Sequence, residues 1–122
     1  MKIICLLPRR ADLTRAQFKQ YYEENHAPLI EKLLPFYTEY RRNFLADEQD
    51  YETGHLENKA EDAPPFDVIT ELTFSTRENY EKMVAALSDP AIGDVIAADE
   101  ANLFDRDNMQ VYLVEEVASA AR

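Results

Sequence analysis

The hydrophobic and polar positions fall into alternating short blocks. Residues 2–7 (KIICLL) are an unbroken apolar run, the pattern of a strand buried on both faces. From Thr14 the spacing changes to threes and fours. Phe18, Tyr21, Tyr22, Asn25, Leu29 and Leu33 mark one stripe of a helix. Thr14 and Gln17 form a capping box at its start. Pro28 lacks an N–H and disfavours helical geometry at Ala27, so a break or kink near His26 and a second helical turn after it are expected. Residues 36–45 read as a strand, with Phe36, Thr38, Tyr40, Arg42 and Phe44 on one side.

Residues 46–65 are polar, acidic and end in two prolines, an excursion between strands with a turn expected around Gly54-His55. Residues 66–74 (FDVITELTF) carry the clearest strand pattern. Ser75 to Glu78 reads as a second capping box, ahead of a helix with Tyr80, Met83, Val84 and Leu87 on one face. Asp89-Pro90 opens another helical piece bearing Ile92, Val95, Ile96 and Leu103. Residues 109–114 form the last strand, and 118–122 a frayed tail. The order strand, helix, strand, strand, helix, strand is that of an α+β, ferredoxin-like βαββαβ unit. A single domain over residues 1–122 is expected, with a four-stranded antiparallel sheet and helices on one face. Residues 2–7 and 111–114 are apolar on both faces, so the uncovered sheet face needs a partner. A homodimer with facing sheets is the expectation.

The net charge of −11 disfavours nucleic acid and anionic membrane surfaces as partners. No apolar stretch approaches the roughly 18 residues that span a bilayer, and no signal peptide is evident, so a soluble cytoplasmic protein is expected. The lone Cys5 reads as a small buried hydrophobe. Glycine-rich phosphate loops and nucleophile elbows are absent from the sequence, which disfavours a nucleotide enzyme.

His26 is the main chemical candidate, because imidazole exchanges a proton near neutral pH and the helix break puts it at a rim. It reads equally as a structural histidine bonding at the helix end. Tyr40 either orients His26, donates to a substrate oxygen, or packs in the core. Arg42 either meets a substrate carboxylate or enolate, or pairs with a neighbouring acid. Phe18, Tyr22, Phe66 and Phe74 line an aromatic pocket or form ordinary core. His55, Asp99-Glu100 and Asp105 to Asp107 read as solvated surface, without the spacing of a metal site.

The segments CLLPRRADLTRAQFKQYYEENHAPLI, LLPFYTEYRRN and PFDVITELTF, in that order, resemble the EthD-like family of dimeric α+β barrels. The resemblance implies a homodimeric barrel with a pocket between sheet and helices. It also implies cofactor-independent lyase, isomerase or cyclase chemistry on a hydrophobic or aromatic carbonyl ligand, such as a lactone or polyketide fragment. By position, His26 matches the family's helix-end histidine and Tyr40 its second-strand tyrosine. Phe36 stands where the family often has glycine, and the absence of Trp argues against haem. The rival expectation is a non-catalytic binder or accessory protein. An open space between His26 and Tyr40 favours catalysis; side chains filling it favour the binder.

Overall fold

The computed structural model describes residues 1–49 and 64–121. Four strands, β1 (Lys2–Leu7), β2 (Glu39–Phe44), β3 (Val68–Thr73) and β4 (Gln110–Val114), form one antiparallel sheet in the order β2-β3-β1-β4. This is the expected α+β, ferredoxin-like arrangement. The register puts Tyr40, Leu72, Ile3 and Leu113 in one row, and Arg42, Thr70, Cys5 and Val111 in the next. Side chains alternate across a strand, so these two rows share one face. That face is the buried one: Ile3, Cys5, Leu7, Val68, Thr70 and Leu72 all lie within the core.

The helices covering this face are α1 (Arg15–Tyr21), α2 (Ala27–Leu33), α3 (Arg77–Ser88) and α4 (Pro90–Ala101). Thr14 caps α1 as expected. Its hydroxyl accepts from Gln17 N–H at 3.1 Å, and Gln17 Oε1 accepts from Thr14 N–H at 2.9 Å. The cap of α3 is Thr76 rather than Ser75, its hydroxyl accepting from Asn79 N–H at 3.2 Å. Asp89 ends α3 in extended geometry and caps α4 by accepting from Ala91 N–H at 3.0 Å, with Pro90 at the first position.

The helix does not break at His26. Between α1 and α2 the chain widens into a π turn, Tyr22–His26, and stays helical throughout: Tyr21, Tyr22, His26 and Ala27 all keep right-handed helical angles. The Ala27 N–H bonds Tyr22 O, five residues back. A proline ring clashes with the carbonyl four residues before it. Widening the turn moves that carbonyl aside, so Pro28 is accommodated without ending the helix. The extra residue also moves the buried stripe. Phe18 and Tyr22 stay buried, but His26, Ala27, Ile30 and Leu34 replace Asn25, Leu29 and Leu33, of which Asn25 is exposed.

Two strands are shorter than the stretches expected for them. β2 begins at Glu39, because residues 35–38 turn the chain after α2, and β3 begins at Val68, after a bend at Asp67. The expected turn at Gly54-His55 lies outside the described residues, as does most of the acidic segment. Cys5 is buried, and burial pushes its thiol up to about 11, fitting a packed hydrophobe.

The uncovered sheet face is mixed rather than apolar. Lys2 Nζ lies 2.7 Å from Glu71 Oε1, and Asn43 Nδ2 donates to Glu71 Oε2 at 2.9 Å. Ile4, Leu6, Ile69 and Tyr112 share that face. On the helix side the edge strand β4 is left bare, with Val111 and Leu113 59% and 66% exposed.

Candidate functional site

The π turn, α4 and the segment after it converge on His26. Five residues apart on an α-helix would put Tyr21 and His26 roughly 140° apart around the axis. The π turn spends those five residues on about one turn, so both side chains reach the same carboxylate on α4. Asp99 Oδ1 accepts from the Tyr21 hydroxyl at 2.5 Å, and Asp99 Oδ2 lies 2.9 Å from His26 Nδ1. Asn102 Nδ2 donates to the Tyr21 oxygen at 3.3 Å. A carboxylate partner assigns the proton to Nδ1 and leaves the lone pair on Nε2.

The His26 side chain is only 6% exposed. Tyr22 meets it edge-to-face at 5.1 Å and Phe104 at 5.3 Å. Phe104 is fixed by its neighbours' backbone bonds: Arg10 N–H to Leu103 O at 2.9 Å, and Asp105 N–H to Pro8 O at 3.0 Å. Phe18 and Phe44 complete the cluster, each edge-on to Tyr22. Such pairs contribute about 0.5–1.5 kcal/mol each beyond burial. Burial holds the His26 imidazole below its usual value, and the bond to Asp99 pulls the other way without overcoming it. The ring is therefore neutral at pH 7. Nε2 has no hydrogen-bond partner among the described residues, and none of their buried side-chain nitrogens or oxygens is orphaned.

Tyr40 does not reach His26. Its hydroxyl donates to the Tyr22 hydroxyl at 3.0 Å, which lies 2.8 Å from Thr70 Oγ1. Tyr22 fills the space between Tyr40 and His26. Burial pushes the Tyr22 phenol up to about 12 and the Tyr40 phenol higher still, so both remain protonated donors at any physiological pH. Arg42 stacks over the Tyr40 ring at 4.7 Å and pairs in two-pronged fashion with Glu23, at 2.9 and 2.6 Å, so its fork is already occupied. Phe74 lies away from this cluster, against Tyr80 at 5.6 Å, and half-buried Phe66 precedes β3 without joining the aromatic cluster.

Asp99 corrects the expectation of a solvated acidic pair: its side chain is 14% exposed and that of Glu100 20%. Burial also pushes the Glu100 carboxyl up. A signal for Asp99 was available in the sequence. It stands three residues after Ile96 and four before Leu103, within the apolar stripe of α4. Thr70 and Phe104 are the other partners that the residue pattern did not single out, and the helix stripe that includes Tyr21 gives no sign of its contact to Asp99.

A cavity of about 410 Å³ is lined by Phe18 and Phe44 together with Arg15, Lys19 and Asp67, and His26 is not among its lining residues. Among the described residues, no group of three or more His, Cys, Asp or Glu side chains is placed to hold a metal ion. None of the described helices is long and apolar enough to cross a membrane.

The family model described as the EthD domain matches residues 10–107. The chain belongs to the EthD family. Solved structures similar to this EthD-family chain share its fold. An Arabidopsis thaliana protein is 10% identical with a TM-score of 0.58, covering 98% of each chain. An ethyl tert-butyl ether d (EthD) family protein from Bacillus halodurans is 17% identical with a TM-score of 0.55, covering 93% of this chain and 97% of its own. An EthD-like protein from Ralstonia eutropha is 20% identical with a TM-score of 0.53, covering 94% and 93%. A comparison with curated proteins finds no match.

Proposed function

We propose that this EthD-family protein is a cofactor-independent proton-transfer catalyst of the lyase, isomerase or cyclase type. Its substrate is a hydrophobic or aromatic carbonyl compound, lactone- or polyketide-like. The observation that carries the reading is the buried, neutral His26 with Asp99 on Nδ1, which leaves Nε2 as a base. Nε2 takes a proton from the carbon beside the carbonyl. The C–H pair becomes a carbon–carbon double bond, the carbonyl π pair moves onto oxygen, and the resulting enolate oxygen needs a donor. The Tyr22 and Tyr40 hydroxyls, protonated and linked to each other, are the donors proposed for it.

The test uses no assumed substrate. The protein is incubated in D2O with a panel of small ketones, lactones and β-keto esters, and exchange of the α-hydrogens is followed by NMR. Wild type exchanges at least one compound, and His26→Gln is slower by about 10²–10⁴-fold. The rate falls only as pH drops below the ordinary imidazole value of 6.5, because a depressed value delays protonation of the base. Full exchange by a folded His26→Gln protein overturns the reading.

Two observations favour a second reading, a non-catalytic binder or accessory protein. Tyr22 fills the gap between Tyr40 and His26, and His26 is not among the residues that line the 410 Å³ cavity. On that reading the panel binds, and wild type and His26→Gln exchange alike at the solvent rate.

A homodimer belongs to either reading. Supporting it are the uncovered sheet face and the bare Val111 and Leu113 of β4. Sedimentation at micromolar concentration gives twice the 14.1 kDa chain mass; a stable monomer rejects the dimer.

A further inference from the structure

We propose that Tyr21 is a positioning residue for His26, acting through Asp99 and brought to it by the π turn. The Asp99 carboxylate has two oxygens and two facing donors, one on each. Tyr21 occupies Oδ1 at 2.5 Å and His26 occupies Oδ2 at 2.9 Å. A carboxylate held at one oxygen cannot rotate about its own bond without breaking that contact. The plane in which Oδ2 meets Nδ1 is therefore set by the phenol, not by Asp99 alone. Asn102, the residue that caps α4, donates to the same phenol oxygen at 3.3 Å and strengthens its O–H as a donor. An α-helical register would turn Tyr21 away from His26, so the widened turn and the Tyr21 contact belong to one device.

Tyr21 also spreads the charge of Asp99. A carboxylate that accepts a phenol hydrogen bond holds a neighbouring imidazolium less strongly. The groups around His26 that bear charge or titrate are Asp99 and, beside it, Glu100 from α4, Tyr21 and Tyr22 from its own helix, and Tyr40 from β2 behind Tyr22. Removing the Tyr21 hydroxyl leaves more charge on Asp99 facing Nδ1, so imidazole protonation moves to higher pH. The kinetic consequence rests on His26 being the base; the titration does not.

The experiment is an NMR titration of the histidine ring in wild type, Tyr21→Phe and Asn102→Ala, alongside the α-hydrogen exchange assay. The chain has two histidines, so His55 serves as an internal reference. Tyr21→Phe raises the pH at which His26 titrates, and moves the acid limb of exchange up with it. It lowers the exchange kcat near neutrality by about 10–100-fold, the scale on which outer partners of a histidine act, with KM little changed. Asn102→Ala shifts the titration in the same direction by less, and decides the matter if Tyr21→Phe does not fold. A structural aromatic would lower stability and leave the titration where it was. An unmoved His26 titration in the folded variants overturns the role of Tyr21, whatever the exchange rates. Full exchange in His26→Gln overturns the catalytic reading and leaves the titration test standing.

Discussion

Asp99→Asn lowers α-hydrogen exchange by between about 10²- and 10⁴-fold, the range over which positioned proton transfer contributes. The substitution keeps shape and removes charge. An amide offers one acceptor and one NH2 group, whereas Asp99 accepts from both Tyr21 and His26. If the amide oxygen faces His26, its NH2 group meets the Tyr21 hydroxyl, which must turn its hydrogen elsewhere. If the NH2 group faces His26, Nδ1 becomes the acceptor, the proton moves to Nε2, and the base loses its lone pair. In both orientations the imidazolium formed during the reaction has lost its counter-charge. One poorly paired buried group also lowers stability by about 1–3 kcal/mol. Urea denaturation and exchange rates on the same sample separate the two effects. A wild-type rate in Asp99→Asn would sink the idea that this carboxylate serves the imidazole.

Gly93→Ala unfolds the protein at a lower temperature, despite putting the best helix former in place of nearly the worst. Gly93 lies in the first turn of α4, where the chain doubles back on α3. A Cβ there would sit 2.1 Å from Leu87 O and 3.1 Å from Leu87 C, both backbone atoms in the last turn of α3. The backbone of a helix cannot move aside locally, so the α3–α4 corner has to open. Overpacking of this kind costs roughly 1–3 kcal/mol, and the propensity gain of about 1 kcal/mol offsets only part of it. The consequence reaches the site, because Asp99 rides on α4. Opening the corner lengthens the contact between Asp99 and His26, so exchange falls along with Tm. An unchanged Tm in thermal denaturation would show that the corner has slack that its geometry denies.

The two substitutions act at positions of unequal visibility in the sequence. Gly93 follows Asp89-Pro90, and that pair announces a helix start through a cap and a ring with a preset angle. The capping box of Thr14 and Gln17 is legible for the same reason: both partners lie within four residues. Strand alternation placed Tyr40, Arg42 and Phe44 on one face, and the register bears this out. Asp99 was harder to see. Its neighbour Glu100 made the pair read as acidic surface, and only the apolar residues at spacings of three and four on either side hint that it points inward. Its partners lie 73 and 78 positions away in the chain.

Local chemistry therefore determined the elements, their order, the α+β class and the candidacy of His26, since caps, alternation and helical stripes act over a few residues. Only the tertiary structure decided what His26 touches. Proline marked a disturbance near residue 28, but whether the helix breaks or widens depends on what the following turn packs against. Packing against the sheet and α4 favours the π turn, which buries His26 and Ala27 in place of Asn25. That one-residue change of register joins Tyr21 and His26 to Asp99 and leaves Tyr40 with Tyr22. Contacts between distant segments settle such a choice, and a reading confined to neighbouring residues has no access to them.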